Sequence, residues 1–281
     1  MNKYLRLFRF GNGLMGIIGV IVGAFIASGL NITDYWISIS ISCLIVFIFM
    51  AGGNAINDYI DRDIDKIAHP ERPVPQGEIK PITAKNLGIS MMILSVLIGV
   101  LAQVSSFYFD FIFWDFISTI VVLIAALLMV SYELFLKQRG FIGNVTIALM
   151  TGMLFLLGGA VCNNAIVVVP IALMAILVNI GREIAKDIED QASDEGRDTL
   201  PMRIGVRGAA SVAAVFFIAG VALSVWPLLY GSMSDLYLLV LAADAMFIYA
   251  AIIVFKSAHS AQKIAKIAMI IALLAFVIGV I

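Results

Sequence analysis

The chain is built from apolar stretches of about twenty residues separated by shorter polar connections. A helix of about 20 residues covers the hydrocarbon core of a bilayer, and a helix satisfies its own backbone hydrogen bonds there. Nine stretches meet that length, roughly 14–30, 36–57, 86–106, 112–132, 141–162, 165–186, 208–230, 236–256 and 262–281. The expectation is an all-α membrane protein with nine transmembrane helices in a single domain over 1–281. Composition agrees. The chain is 62% hydrophobic and 13% charged, against about 45–50% and 25% in soluble domains. A net charge of −1 gives no electrostatic footprint for nucleic acid. Cys43 and Cys162 lie in apolar stretches and form neither a disulfide framework nor a metal-knuckle spacing. The first stretch follows Lys3, Arg6 and Arg9 but lacks a small-residue cleavage site, so it reads as a retained helix.

The charges sort by face. With nine crossings, all 18 Lys and Arg fall on the face that holds the N-terminus and the connections after even-numbered stretches. The opposite face carries only Asp34, Asp110, Asp115 and Asp235. The positive-inside rule then predicts a multi-pass cell-membrane protein whose N-terminus and two long segments, about 58–85 and 187–207, are cytoplasmic. Those segments hold most of the polar chemistry and read as cap loops.

Each long segment begins with an acidic stripe. Asn54, Asp58, Asp61 and Asp65 step by 4, 3 and 4, as do Glu183, Asp187, Asp190 and Asp194. At about 100° per residue each set lies within about 60° on one helix face. Asn179 extends the second stripe by a turn. An isolated acidic string is an ordinary solvated helix end. Two copies with one stepping call for a common partner that offsets their mutual repulsion, and Mg²⁺, a hard ion taking carboxylate oxygens and substrate phosphates, fits that need. Asp58 and Asp187 are 129 residues apart, which suggests a four-plus-four helix repeat.

Cations are interleaved with the acids. Arg62 interrupts the first stripe, Arg182 and Lys186 the second. The loop HPERPVPQGEI carries Arg72, and SYELFLKQRGFIGN supplies Tyr132, Lys137, Arg139 and Asn144. Acids holding a metal inside a ring of Lys and Arg make a clamp for a diphosphate. Lys137, Lys186 and Arg72 are the expected catalytic cations. Tyr132, Arg62, Arg182, Asn144 and Arg139 are expected around the substrate. Lys3, Lys80, Lys85, Lys256, Lys263 and Lys266 read as topogenic residues facing lipid headgroups. Asp244, an acid within the eighth stretch, needs a polar partner.

NDYIDRDIDKIAHPERPVPQGEI resembles the first Asp-rich region and Arg-Pro loop of UbiA-type intramembrane prenyltransferases. REIAKDIEDQASDEGRDTLPMRIG resembles their second. The resemblance implies nine helices around a central cavity under cytoplasmic caps. It implies metal ligation by Asn54, Asp58, Asp61, Asp65, Asp187, Asp190 and Asp194, with Lys186, Lys137 and Arg72 near the diphosphate and Asn12 lining the cavity. Arg9-Phe10-Gly11-Asn12 departs from the family's Arg-Pro at that point, which leaves Arg9 unassigned. The REIAKDIED string resembles the archaeal ether-lipid branch. That likeness implies Mg²⁺-dependent transfer from geranylgeranyl diphosphate to a phosphate-bearing lipid acceptor, geranylgeranylglyceryl phosphate, without an obligatory protein partner. An aromatic acceptor, as in quinone, haem or chlorophyll pathways, is the rival within the family. A cation transporter is the rival from another class, but such a path expects its carboxylates near the bilayer midplane.

Overall fold

The computed structural model describes residues 2–191, 198–229 and 233–281. Among them every regular element is helical. The long helices are α1 (Phe10–Ser28), α2 (Trp36–Ile60), α3 (Pro81–Ser106), α4 (Phe116–Ser131), α5 (Phe141–Ala160), α6 (Val169–Asp190), α7 (Leu200–Ser224), α8 (Val240–Ile253) and α9 (Ala258–Gly279). Among the described residues, eight segments are long and apolar enough to cross a membrane, so this is a multi-pass membrane protein. The first, Phe10–Ile60, is 51 residues long and joins α1 to α2 through the 3₁₀ run Gly29–Tyr35.

Local chemistry sets the helix ends. Pro81 and Pro201 sit in the first turns of α3 and α7, where a missing N–H leaves nothing unsatisfied. Asp115 caps α4 by accepting from the Ser118 N–H at 2.7 Å. Hence α3 and α7 start before the expected 86 and 208, and α4 starts after the expected 112. At the other ends, α2 runs to Ile60 and α6 to Asp190, past the apolar stretches that predicted 57 and 186. Backbone hydrogen bonding carries a helix on where hydrophobicity stops. The beginnings of both expected cap loops are therefore helical.

One detail of the first stripe is corrected. α2 ends at Ile60, Asp61 is its C-cap, and Asp65 opens a separate short helix, Asp65–Ala68. The stripe is continued through a turn, with the Asp65 N–H donating to the Asp61 carbonyl at 2.8 Å.

The core is divided. One cluster joins α1 to α5 around Val20, Ile45, Val122 and Leu157, and another joins α5 to α9 around Ile184, Phe217, Phe247 and a series of alanines. α1 and α5 approach at backbone distance, since a Cβ on Gly158 would overlap the Val20 carbonyl and one on Gly23 the Phe155 carbonyl. In lipid, where apolar burial drives little helix association, such close packing of small residues holds helices together.

Candidate active site

Because the helices alternate in direction, the C-terminal ends of α2, α4 and α6 share one end of the bundle with the N-terminal ends of α3, α5 and α7. Both acidic stripes lie there. In the first, Asp58 and Asp65 are buried. The Arg9 guanidinium donates to Asp58 Oδ1 at 2.7 Å and to Asn57 Oδ1 at 3.0 Å. Arg72 donates to Asp65 Oδ2 at 2.5 Å and lies 3.7 Å from Asp58 Oδ1. Lys137 pairs with Asp61 and lies 3.5 Å from Glu133 Oε2, while Asn57 donates to Glu133 Oε1 at 3.2 Å. Three cations thus face four carboxylates, brought together from three separate parts of the sequence: Arg9, the 58–72 region, and Glu133 with Lys137.

Two supports hold these cations. Leu7 is fully buried with Ala55, Val74, Ile79 and Ala84, and Arg6 pairs with Glu78, so the short N-terminal helix Lys3–Leu7 packs on the loop that delivers Arg72. Glu133 lies within a single π-helical turn, Tyr132–Leu136, and Lys137 is its C-cap; such interruptions are often found at functional sites.

In the second stripe, Asn144 on α5 donates to Asp187 Oδ2 at 2.7 Å, and Arg182 pairs with its neighbour Glu183 and donates to Asn179 Oδ1 at 3.0 Å. Asn179 in turn donates to Thr151 Oγ1 at 3.1 Å. Asp190 is half-buried at the end of α6. Asp194 lies outside the described residues. The connection between α4 and α5 reaches both stripes, through Lys137 to Asp61 and through Asn144 at the start of α5 to Asp187. The Asp198 N–H also donates to the Gln138 carbonyl at 3.3 Å. Gly140 adopts φ +57°, and a Cβ there would overlap the Asp198 carbonyl, so this crossing requires glycine.

Below the stripes lie two adjoining apolar chambers. One, about 220 Å³, is lined by Asn54, Phe49, Val121, Met129 and Met150. The other, about 260 Å³, is lined by Asn12, Gly16, Phe155, Met174, Phe247 and Phe276 among others. Met50, Thr151 and Leu154 line both. Asn54 and Thr151 therefore connect the chambers to the two stripes.

The remaining expected residues divide. Tyr132 opens the π turn and is half-buried. Arg62 turns outward, donating to the Tyr59 carbonyl at 3.0 Å, stacking on the Tyr59 ring and approaching Asp63 at 3.6 Å. Its place between stripe acids in the sequence is lost because α2 ends before it. Arg139 and Lys186 are exposed, and Lys186 makes no ion pair among the described residues. Sequence reasoning missed Arg9, Asn57 and Glu133. Only Glu133 carried a signal, its i,i+4 spacing to Lys137.

Residues 16–277 match the UbiA prenyltransferase family. The chain belongs to it. This UbiA prenyltransferase is 33% identical to the digeranylgeranylglyceryl phosphate synthase of Methanosphaera stadtmanae over 99% of both chains. It is 36% identical to that of Thermococcus kodakarensis over 99% of this chain and 98% of the relative. A solved structure of a digeranylgeranylglyceryl phosphate synthase superposes with a TM-score of 0.80 at 33% identity, covering 99% of this chain and 97% of that one. A UbiA homolog from Archaeoglobus fulgidus bound to GPP and Mg²⁺ shares the fold, with a TM-score of 0.71 at 18% identity over 99% and 98% of the two chains.

The donor set suits a divalent cation. Asp58 Oδ2 is buried and has no hydrogen-bond partner, and a buried carboxylate oxygen left bare is expensive unless a cation takes it. With Glu133 counted beside the first stripe, the cluster holds four carboxylates against the three cations Arg9, Arg72 and Lys137. Among the described residues no three acids, histidines or cysteines converge to a ready-made metal site, since the stripe acids are tied to Arg9, Arg72 and Lys137.

Proposed function

We propose that this prenyltransferase transfers a geranylgeranyl group from geranylgeranyl diphosphate to the free hydroxyl of geranylgeranylglyceryl phosphate, forming the second ether bond of an archaeal membrane lipid. The observation that carries the reading is the pairing of acids and cations at the mouth of two apolar chambers, a place for phosphate heads above places for two prenyl tails. The name shared by full-length relatives at 33–36% identity supports it.

In this reading the chain crosses the membrane nine times, with α1 and α2 as separate crossings. At 1.5 Å per residue a 51-residue helical segment would extend about 77 Å, more than twice the hydrocarbon core. The N-terminus and both stripes face the cytoplasm, and the segments after α2 and α6 cap the site. α2 packs on α3 as α6 packs on α7, which supports a four-plus-four repeat.

Mg²⁺ would be held by Asp58, Asp61 and Asp65 with Asn54, and by Asp187, Asp190 and Asp194 with Glu183. When bound it supplies charge neutralisation of the diphosphate leaving group. Arg9, Arg72 and Lys137 divide their hydrogen bonds between the stripe carboxylates and the phosphate oxygens, with Lys186 at the margin. They are preorganised by their ion pairs, so they meet the negative charge that grows on the leaving diphosphate without rearranging from water. Tyr132, Arg139, Arg62, Arg182 and Asn144 surround the head groups, and Asn12 and Asn54 mark where the heads give way to the chambers. The donor C–O bond breaks, the acceptor oxygen bonds to the allylic carbon, and the hydroxyl proton is released. The chambers exclude water from the allylic centre and leave the lipid hydroxyl as its partner.

The test is purified protein in lipid nanodiscs with Mg²⁺, labelled geranylgeranyl diphosphate and a panel of acceptors, products being identified by mass. Transfer to geranylgeranylglyceryl phosphate is expected. Transfer to an aromatic acceptor in its place overturns the assignment.

A further inference from the structure

The 260 Å³ chamber is lined by three polar residues: Asn12, Thr151 and Asp244. The first lies near the chamber mouth, and Thr151 is bonded to the second stripe through Asn179. Asp244 belongs to neither. It lies on α8, nine residues before that helix's end at Ile253, or about 14 Å along the axis from the end that carries the stripes. Its neighbours are at the far end of the bundle. Ser224, the last residue of α7, donates its hydroxyl to Asp244 Oδ2 at 2.7 Å, and the Tyr237 hydroxyl donates to the Ser224 carbonyl at 3.0 Å. That network fixes the carboxyl in place. It is 7% exposed, and among the described residues it has no cation partner and no second hydrogen bond. Asp244 Oδ1 is thus an acceptor without a partner on the wall of a chamber otherwise lined there by Phe247, Leu273 and Phe276.

An apolar chamber alone favours longer hydrocarbon, because every added methylene buries more surface. A chain that presses methyl groups on a lone acceptor forfeits its solvation, and that term opposes the gain. We infer that Asp244 is a specificity residue that reads the far end of the prenyl chain in this chamber, admitting a C20 chain and discriminating against one an isoprene unit longer. The inference rests on the proposed reaction. It concerns a residue remote from the diphosphate and from the carbon being transferred.

The experiment uses the full chain in nanodiscs and reads kcat/KM in two arms. One varies the donor between C20 and C25 diphosphates with a C20 acceptor. The other varies the acceptor's ether chain between C20 and C25 with a C20 donor. Asp244→Leu is expected to raise the C25-to-C20 ratio about tenfold, equivalent to about 1.4 kcal/mol, in the arm whose tail uses this chamber. Asp244→Asn keeps an acceptor at that site and is expected to keep the wild-type ratio. The wild-type protein provides a second measurement that needs no variant. A C25 chain carrying a hydroxyl on its last isoprene unit should be used about tenfold better than plain C25. An unchanged ratio in both arms for Asp244→Leu, or no gain from the terminal hydroxyl in the wild type, overturns the inference. Absence of any transfer by the wild type from the C20 donor is a different result, which overturns the proposed reaction itself.

Discussion

Replacing Lys137 by methionine separates what this cation does for folding from what it does for chemistry. The substitution preserves most of the aliphatic stem and removes one charge. Lys137 is shared by Asp61 and Glu133, each 8% exposed, and its own side chain is 9% exposed. Removing one member of a buried ion pair typically costs about 3–5 kcal/mol, because the charge left behind is uncompensated. Asn57 still donates to Glu133, so the expected loss for Lys137→Met is about 3 kcal/mol, at the low end of that range. Adding Glu133→Gln removes one of the two stranded charges and should restore about 1–2 kcal/mol, a coupling of the size found between residues in contact. Turnover should behave differently. A preorganised charge facing a developing anion is worth about 10²–10³ in rate, and Glu133→Gln replaces no positive charge. The double variant is therefore expected to regain stability and not activity. Unfolding in mixed micelles measures the first, and product formation from labelled geranylgeranyl diphosphate the second. A loss below about 1 kcal/mol with near-normal turnover would refute the electrostatic argument. Recovery of turnover in the double variant would make Lys137 a structural residue only.

Asp58→Asn and Asp187→Asn should each abolish turnover while the protein still inserts and elutes as a folded species. Full activity in either removes the two-stripe clamp. Exhaustive chelation should stop transfer and added Mg²⁺ restore it; activity that survives chelation counts against a divalent ion. Gly158→Ala forces a Cβ onto the Val20 carbonyl and should destabilise the protein by about 1–3 kcal/mol through the α1–α5 contact, read as a lowered unfolding midpoint. The Arg203 guanidinium holds the exposed Asp198 carboxyl below its usual range. A carboxylate lowered in the folded state stabilises above its unfolded pKa and stops doing so as pH falls through the folded value. Wild type and Asp198→Asn should therefore differ in midpoint at neutral pH and converge as the pH falls below the ordinary aspartate range; a difference that persists in strong acid refutes the pair.

The acidic stripes, the apolar segments and the places of Arg72, Lys137 and Asn144 near the stripes were legible because helical periodicity and chain direction are local properties. What sequence could not reveal depends on where the chain turns. Arg62 shares the first stripe's neighbourhood in sequence, yet the end of α2 at Ile60 sends it outward to Tyr59 and Asp63. Arg9 is the converse case. Its Arg-Phe-Gly context concealed it, but a left-handed backbone at φ 47° aims it across 49 residues of sequence to Asp58. Glu133 lies one residue past the expected end of the fourth apolar stretch, and its burial beside Lys137 follows from a π turn that periodicity does not foretell. The partner of Asp244 was invisible for the same reason, since Ser224 ends one helix and Asp244 lies in the next.

The segment between Lys137 and Asn144 acts as a ruler. One end is fastened to Asp61 and the other to Asp187, so a length of backbone sets how far apart the two acidic stripes stand. One inserted residue there adds up to about 3.5 Å of reach, more than the length of either bond it would have to keep. A tag or insertion in this one segment would shift the two stripes relative to each other, and with them whatever is held across both.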